Sequence, residues 1–503
     1  LAKTAGPSGE RSPEPPSFHN SYARLPDRFF AVQQPNPVSA PRLVRVNGPL
    51  AADLGLDPQW LESPAGIDML AGNRFPEGAE PIALAYAGHQ FGNFTPQLGD
   101  GRALLVGEVI DSHGVRRDIQ LKGSGPTRFS RNGDGRAALG PVLREYIVSE
   151  AMAALGIPTA RTLAAVTTGD KVYRETRLPG AIVARVAASH VRIGTFQYFA
   201  ARRDVEALKI LTHYVIDRHY PALASHDRPA LALLEAVIAA QAALVARWML
   251  VGFIHGVMNT DNMTVSGETI DYGPCAFMDR YDPATVFSSI DVQGRYAYAN
   301  QPRIGVWNLT RLAETLLPLL HDDEAEAIKI AEDALQAFQA NYLAAFHEGL
   351  RRKLGLLTQE EGDLALAGGL LGLMAASRAD FTTTFRNLAS EIDKPAGSED
   401  GVRLLFADPE AFDGWATAWR QRLAREPDIG ASRQAMLSAN PKYIPRNHRV
   451  EAAIAAAVER SDFGPFEELL AVTGKPFEEQ PAMERYALPP EEEDRGFQTF
   501  CGT

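Results

Sequence analysis

A long apolar stretch of helical pattern, Pro229 to Val251, runs directly into the segment Phe253-Ile-His-Gly-Val-Met-Asn-Thr-Asp-Asn-Met-Thr-Val-Ser-Gly-Glu-Thr-Ile-Asp-Tyr-Gly273. No other part of the chain narrows the choice of fold so far. After the helix, the chain sets out His255, Asn262 and Asp271-Tyr272-Gly273 in quick succession. An amide oxygen and a carboxylate suit Mg²⁺, which keeps several waters and bridges phosphates. Asn and Asp are also common in turns. Their joint occurrence with the histidine, directly after a long apolar helix, is the strongest signal in the chain.

The spacing is that of a protein-kinase catalytic loop, H-R-D-L-x-x-x-N followed by D-F-G. His255 takes the first place, Asn262 the eighth, and Asp271-Tyr272-Gly273 stands where D-F-G would. The third place, where the catalytic Asp belongs, is Val257. The metal ligands are kept and the usual base is gone, while another carboxylate, Asp261, lies directly before the Asn. This argues for nucleotide and metal binding, and against ordinary transfer of the terminal phosphate to a hydroxyl.

With 503 residues, 45% hydrophobic and 22% charged, the composition is that of a globular protein of several domains. The net charge of −12 makes the whole protein a poor binder of nucleic acid. Two cysteines, Cys275 and Cys501, form no zinc-type spacing and suit a reducing compartment. No unbroken apolar run reaches membrane-spanning length, so no membrane segment is expected. No secretory signal pattern is visible. Residues 1–17, rich in Pro, Gly, Ser and Glu, are expected to be disordered.

The order of elements suggests an α+β protein. One helix-like piece stands around Pro49 to Leu54. Ala103–Ile110 and Asp118–Lys122 read as strands. Gly140 to Leu155 reads as a helix ended by Gly156-Ile-Pro158, and Thr159–Val166 and Ala181–Ala187 as further strands. From about residue 205 the patterns are helical: Leu208–His219, Pro229–Val251, Trp307–Leu320, Asp322–Leu354, several helices in 360–425 and one near Arg449–Glu459. A β-rich half with one key helix, then a helical half, is the order of a protein-kinase-like two-lobed fold. The expected divisions are an N-lobe at 18–205, a helical C-lobe at 206–400, and a helical C-terminal extension with a Cys-containing tail at 401–503.

Phosphoryl-transfer sites need positive charge, a Gly-rich backbone near the phosphates and a divalent metal. The Gly-rich piece is Leu98-Gly-Asp-Gly-Arg102, although Asp-Gly is equally a turn signal. Lys122 closes a strand and precedes Gly-Ser-Gly-Pro, and Glu145 on the following helix is its expected ion-pair partner; a surface lysine is the alternative. The basic, Gly-rich segment Arg128–Arg136 contains Asp134 and Gly135 ahead of a helix N-terminus, a setting that favours anions, or else is a solvated loop. Arg185 and Arg192 flank an apolar strand and could fork onto phosphate or make ordinary salt bridges.

The runs Tyr86-Ala-Gly-His-Gln-Phe-Gly92, Gln120-Leu-Lys-Gly-Ser-Gly-Pro126, Gly133-Asp-Gly-Arg-Ala-Ala-Leu-Gly-Pro141 and His255-Gly-Val-Met-Asn-Thr-Asp-Asn262 closely resemble the selenoprotein O family. Phe287-Ser-Ser-Ile-Asp291 and Gly294-Arg-Tyr-Ala-Tyr298 fit it as well, so the likeness covers nearly the whole chain. The resemblance implies a kinase-like fold turned to transfer of AMP from ATP to Ser, Thr or Tyr hydroxyls of proteins, with UTP and Mn²⁺ used by some members. It implies nucleotide contacts from Gly99, Gly101, Arg102, Lys122, Asp134 and Gly135, with Arg185 and Arg192 on the terminal phosphate. Asn262 and Asp271 would bind Mg²⁺ or Mn²⁺, and Asp261 would accept the proton. If the nucleotide sits reversed relative to a kinase, its α-phosphate faces the acceptor, and the loss of the base at Val257 is no defect.

Members of that family with selenocysteine carry it near the C-terminus after a Cys. Here Phe500 precedes Cys501, so the two-residue redox pair is absent. A reversible Cys275–Cys501 disulfide pinning the tail over the active centre is one expectation; two unrelated reduced thiols are the other. Protein substrates, including the chain itself, are the expected partners of a monomer in the bacterial cytoplasm, with neither nucleic acid nor membrane. The competing reading is a catalytically inactive, ATP-binding pseudokinase scaffold.

Overall fold

Ala103–Ile110 is largely aliphatic, Arg116–Lys122 alternates polar residues with Ile119 and Leu121, and both strands are buried along most of their length. They sit in the middle of a sheet of eight strands among the described residues: β1 (Phe30–Val32), β2 (Arg42–Val46), β3 (Ile82–Leu84), β4 (Ala103–Ile110), β5 (Arg116–Lys122), β6 (Ala137–Ala138), β7 (Arg161–Tyr173) and β8 (Arg177–Ala187). The order is β1-β3-β4-β5-β8-β7-β2, with β6 on β8. β4 and β5 are antiparallel, with Ala103 opposite Lys122 and Ile110 opposite Arg116. One face of the sheet packs Val106, Ile119, Leu121 and Ile182 against Leu50, Leu61 and Met69 from the short helices Gly48–Asp53, Pro58–Glu62 and Pro64–Leu70. The structure, a computed structural model, describes residues 14–394, 401–491 and Thr499. It divides into two units: Leu1–Leu84, Gly101–Ala138 and Thr162–Val186, which hold the sheet, and Ala85–Asp100, Leu139–Arg161 and Ala187–Thr503.

The second unit is mainly helical. Its principal helices are α1 (Leu139–Ala154), α2 (Ile193–Ala200), α3 (Val205–His219), α4 (Pro229–Val251), α5 (Gln301–Leu320), α6 (Glu324–Lys353), α7 (Phe381–Glu391) and α8 (Asn447–Arg460). α4 is long and apolar enough to cross a bilayer although its run is broken by Glu235, Gln241 and Arg247. Most of it is buried within the protein. Gln241 donates to the Thr264 carbonyl (2.7 Å) and Trp248 Nε1 to Thr269 Oγ1 (2.9 Å), as expected of a core helix. The C-terminal helices are tied in by Arg446, wholly buried, which pairs with Asp380 (2.9 Å) and with Asp279. The elements expected from sequence are present, and β7 and β8, neighbours in the sheet, run several residues longer than their apolar cores. Of the segment expected to be disordered, residues 1–13 lie outside the described residues, and 14–17 form no regular element.

Lys353, the last residue of α6, is 2% exposed. Its ammonium lies 4.2 Å from the Phe385 ring centroid and 5.4 Å from that of Phe381, and no carboxylate pairs with it among the described residues. Burial pushes its pKa from 10.5 down to about 7. Between those values the unfolded chain binds more protons than the folded one, so this lysine makes stability rise with pH. Lys353→Met should therefore stabilise the protein by about 2 kcal/mol at pH 7, since the cation–π contacts offset only part of the desolvation. The gain should shrink as pH rises from 7 toward 10.5, because the folded lysine is already neutral there and the unfolded one becomes so only above 10.5. Melting temperatures of both proteins at pH 7 and 9.5 check it; a constant difference would show that the charge is not the cause.

Candidate active site

Gly252, with left-handed φ of 72°, ends α4, and the two-residue strand Phe253–Ile254 then pairs antiparallel with Ala276–Phe277. This clamp holds the loops 255–263 and 269–275 side by side. His255 joins them. Its backbone N–H donates to Gln301 Oε1 (3.0 Å), and its ring Nε2 meets the Ile270 carbonyl (2.9 Å). Because a carbonyl can only accept, Nε2 carries the hydrogen. Burial lowers the pKa of His255, which keeps the ring neutral, so it acts as a pin between loops. Asn262 spends its amide N–H on the Val257 carbonyl (3.0 Å), which leaves its oxygen as the group a cation would meet. Asp271 adopts φ of 60°, a left-handed conformation uncommon outside glycine and often kept at functional sites.

Arg192, 2% exposed at the N-terminus of α2, gathers the charges. Its Nη1 donates to the Asp261 carbonyl (2.5 Å) and to the Asp271 carboxylate. Asp100 Oδ1 is 4.0 Å from Nη2, and the guanidinium lies 4.8 Å from the Tyr86 ring centroid. Burial alone would lower its pKa, but Asp271, Tyr86 and Asp100 together hold it above the ordinary arginine value. Burial likewise pushes the Tyr86 phenol up. Asp261 sits in a short 3-10 turn, Thr260–Asn262. Its Oδ2 accepts from Gln90 Nε2 (3.3 Å), while Oδ1 is buried with no hydrogen-bond partner among the described residues. Burial raises its pKa to about 6. Asn262 and Asp271 supply one amide oxygen and one carboxylate, a donor set that fits a hard cation completing its shell with water and phosphate oxygens. No cluster of three His, Cys, Asp or Glu side chains forms a further metal site among the described residues.

The other expected residues are divided between the units. Gly101, Arg102, Lys122, Asp134, Gly135 and Arg185 belong to the first; Gly99 and Glu145 belong to the second with Arg192, Asp261, Asn262 and Asp271. Lys122 ends β5, and the next residue, Gly123, donates its N–H to the Arg102 carbonyl (2.7 Å). Gly135 has φ of 63°, and a Cβ there would overlap the Gly125 backbone, so only glycine lets this loop close on the segment after Lys122. Asp134 is held by Arg174 (2.8 Å), whose hydrogen bond depresses its pKa. Arg185 is buried on β8 and bonded to Gln120 of β5. Glu145 is buried on α1, close enough to Tyr272 to raise its pKa, although burial is the larger cause. Cys275 is buried, and Thr499 Oγ1 donates to the carbonyl of its neighbour Pro274 (2.7 Å). Cys501, the other half of the expected disulfide, lies outside the described residues.

A buried arginine lies on the aspartate of an Asp-Tyr-Gly turn, with a second carboxylate kept half unpartnered beside it. A family described as protein adenylyltransferase SelO matches residues 16–473. The chain belongs to this SelO family. Among its relatives is a protein nucleotidyltransferase YdiU from Bradyrhizobium sp. (strain BTAi1), 66% identical over 97% of this chain and 99% of the relative. Proteins of the same name from Methylorubrum extorquens (strain PA1) and Rhodopseudomonas palustris (strain BisB18) are each 64% identical over 97% of this chain and 99% of their own length. As a SelO-family protein the chain is a nucleotidyltransferase, a protein adenylyltransferase.

Three members of this site had no role in the sequence reading: Tyr86, Gln90 and Asp100. The first two stand in the run Tyr86–Gly92, whose unusual composition was the only signal available. Asp100 was hidden between two glycines that read as a turn.

Proposed function

We propose that this SelO-family protein transfers AMP from ATP to Ser, Thr or Tyr hydroxyls of proteins, releasing pyrophosphate, and takes UTP as an alternative donor. The observation that carries the reading is the catalytic loop. An apolar side chain, Val257, occupies the place of a kinase base, while Asp261 offers a buried carboxylate oxygen with no partner among the described residues. The acceptor O–H gives its proton to Asp261 Oδ1 and its oxygen bonds to the α-phosphorus. The bond from that phosphorus to the bridging oxygen breaks, and pyrophosphate leaves. Lys122, Arg185 and Arg192 neutralise the terminal phosphates. Gly99, Gly101, Arg102, Asp134 and Gly135 approach the nucleotide through backbone and side chain. Asn262 and Asp271 would hold Mg²⁺ or Mn²⁺, which supplies positive charge against the phosphate oxygens when bound. The same reading takes the chain as protein-kinase-like, monomeric and resident in the bacterial cytoplasm, acting on proteins and on neither nucleic acid nor membrane.

Intact mass after incubation with ATP and Mg²⁺ or Mn²⁺, alone and with a hydroxyl-bearing acceptor such as casein, tests the reading. A gain of one AMP unit is the expected result. A gain of one phosphate would make the protein a kinase, and no gain on either protein would favour the inactive scaffold.

A further inference from the structure

We infer that Gln90 is a positioning residue, which fixes the Asp261 carboxylate so that Oδ1 alone faces the acceptor hydroxyl. The inference rests on Asp261 accepting the acceptor's proton. It starts from the hairpin Gly88–Gln90/Asn93–Thr95. Three hydrogen bonds make a closed ring between this hairpin, α2 and the turn that carries Asp261. The His89 N–H donates to Thr260 Oγ1 (2.7 Å), Thr260 Oγ1 donates to Gln197 Oε1 (2.6 Å), and Gln197 Nε2 meets His89 Nδ1 (2.7 Å). A second tie runs from the Phe91 N–H to Asn259 Oδ1 (3.0 Å), which also accepts from the Tyr296 hydroxyl (2.6 Å). The hairpin and the catalytic turn are therefore held as one body.

In a strand, residues two apart share a face. Gly88 and Gln90 both use that face for Asp261. A Cβ at position 88 would collide with Asp261 Oδ1, so glycine leaves room for the carboxylate. Two residues on, Gln90 reaches the same carboxylate and donates Nε2–H to Oδ2 (3.3 Å). The donor identity follows from chemistry, because the amide oxygen turned the other way would face a carboxylate oxygen. A carboxylate turns about a broad two-fold torsion unless something holds it. One donor on Oδ2 stops that rotation and leaves Oδ1, buried with no partner among the described residues, as the remaining acceptor. A buried acceptor without a partner is costly. A hydroxyl that enters to react would supply the missing donor. Glutamine suits the task better than lysine, whose charge would compete with the proton that Asp261 is to receive.

The step balances within the reaction already described. The acceptor oxygen gains a bond to the α-phosphorus, the bond from that phosphorus to pyrophosphate breaks, and the proton rests on Oδ1; Gln90 neither gains nor loses an atom. The test uses the full chain with ATP, Mn²⁺ and casein, reading AMP incorporation from label on the α-phosphate. Gln90→Leu, which removes the donor, should lower kcat roughly 10-fold with the ATP KM within about twofold of wild type. Gln90→Glu keeps shape and reach but replaces the donor by an acceptor, and should lower kcat at least as far. Wild-type kcat in Gln90→Glu would overturn the inference, since a residue that only fills space tolerates its own isostere. So would a loss confined to the ATP KM. Asp261→Asn assayed alongside separates the two failures. If Asp261→Asn turns over at the wild-type rate, the proton-acceptor reading falls; if it is slow while both Gln90 variants are fast, only the Gln90 inference falls. Melting temperatures close to wild type exclude misfolding, and should Gln90→Leu fail that check, Gln90→Glu alone decides.

Discussion

Asp271→Asn is expected to reduce AMP transfer roughly 10³-fold and to lower the melting temperature by about 5 °C or more. Both effects follow from the proposal that one carboxylate has two tasks, balancing Arg192 and holding the cation. In the structure Asp271 balances the buried guanidinium of Arg192, held at a left-handed backbone position. Asparagine keeps the shape, so no cavity opens, but its neutral amide leaves the buried cation to Asp100 at 4.0 Å, the Asp261 carbonyl at 2.5 Å and the Tyr86 ring. Removing one partner of a buried ion pair costs about 3–5 kcal/mol, a large part of the stability of an ordinary domain but not all of it. The fold should survive with a lower melting point. The loss of transfer has a different source, because a neutral amide binds a divalent cation far less well than a carboxylate does. The two tasks separate in a metal titration. If Asp271 holds the cation, Asp271→Asn should need much more Mn²⁺ for whatever activity remains. If it only balances Arg192, the melting point should fall while turnover and metal dependence stay near wild type, and that result would remove Asp271 from the metal site.

How much of this was legible beforehand depends on how far apart in the chain the partners stand. The helix Pro229–Val251 and the strand Ala103–Ile110 were readable to the residue because their apolar patterns are local and bounded by Gly or Pro. The spacing of His255, Asn262 and Asp271 was readable for the same reason, since one short clamp holds all three. The charge arrangement was not. Arg192 meets Asp271 79 positions away, and from sequence it was one of two arginines flanking a strand; in the fold it caps α2 and is buried. Gln90 meets Asp261 across 171 positions, and Thr499 reaches Pro274 across 225. No periodicity reports such contacts. Lys353 shows the reverse limit: a lysine ending a helix reads as surface, and only the arrival of Phe381 and Phe385 over its ammonium turns it into a buried cation.

Asp261→Asn should slow AMP transfer roughly 10²–10³-fold while changing ATP affinity by no more than about threefold. The backbone around it should hardly move. The Asp261 carbonyl, not its side chain, is what Arg192 grips at 2.5 Å, and Thr260 next to it stays in its ring with His89 and Gln197. The space opposite Gly88 admits an amide as readily as a carboxylate. What the substitution removes, on the proposed reading, is a proton acceptor at Oδ1, and an amide oxygen is far too weak a base to replace it. On the proposed reading nucleotide binding draws on Lys122, Arg185 and Arg192, and so should persist. ATP affinity by calorimetry and AMP incorporation under saturating ATP measure the two quantities apart. A large loss of rate at nearly constant affinity makes Asp261 the proton acceptor. Parallel losses in both, relieved by added Mn²⁺, would instead make it a third oxygen ligand beside Asn262 and Asp271 in the proposed metal site, and another group would then have to take the proton.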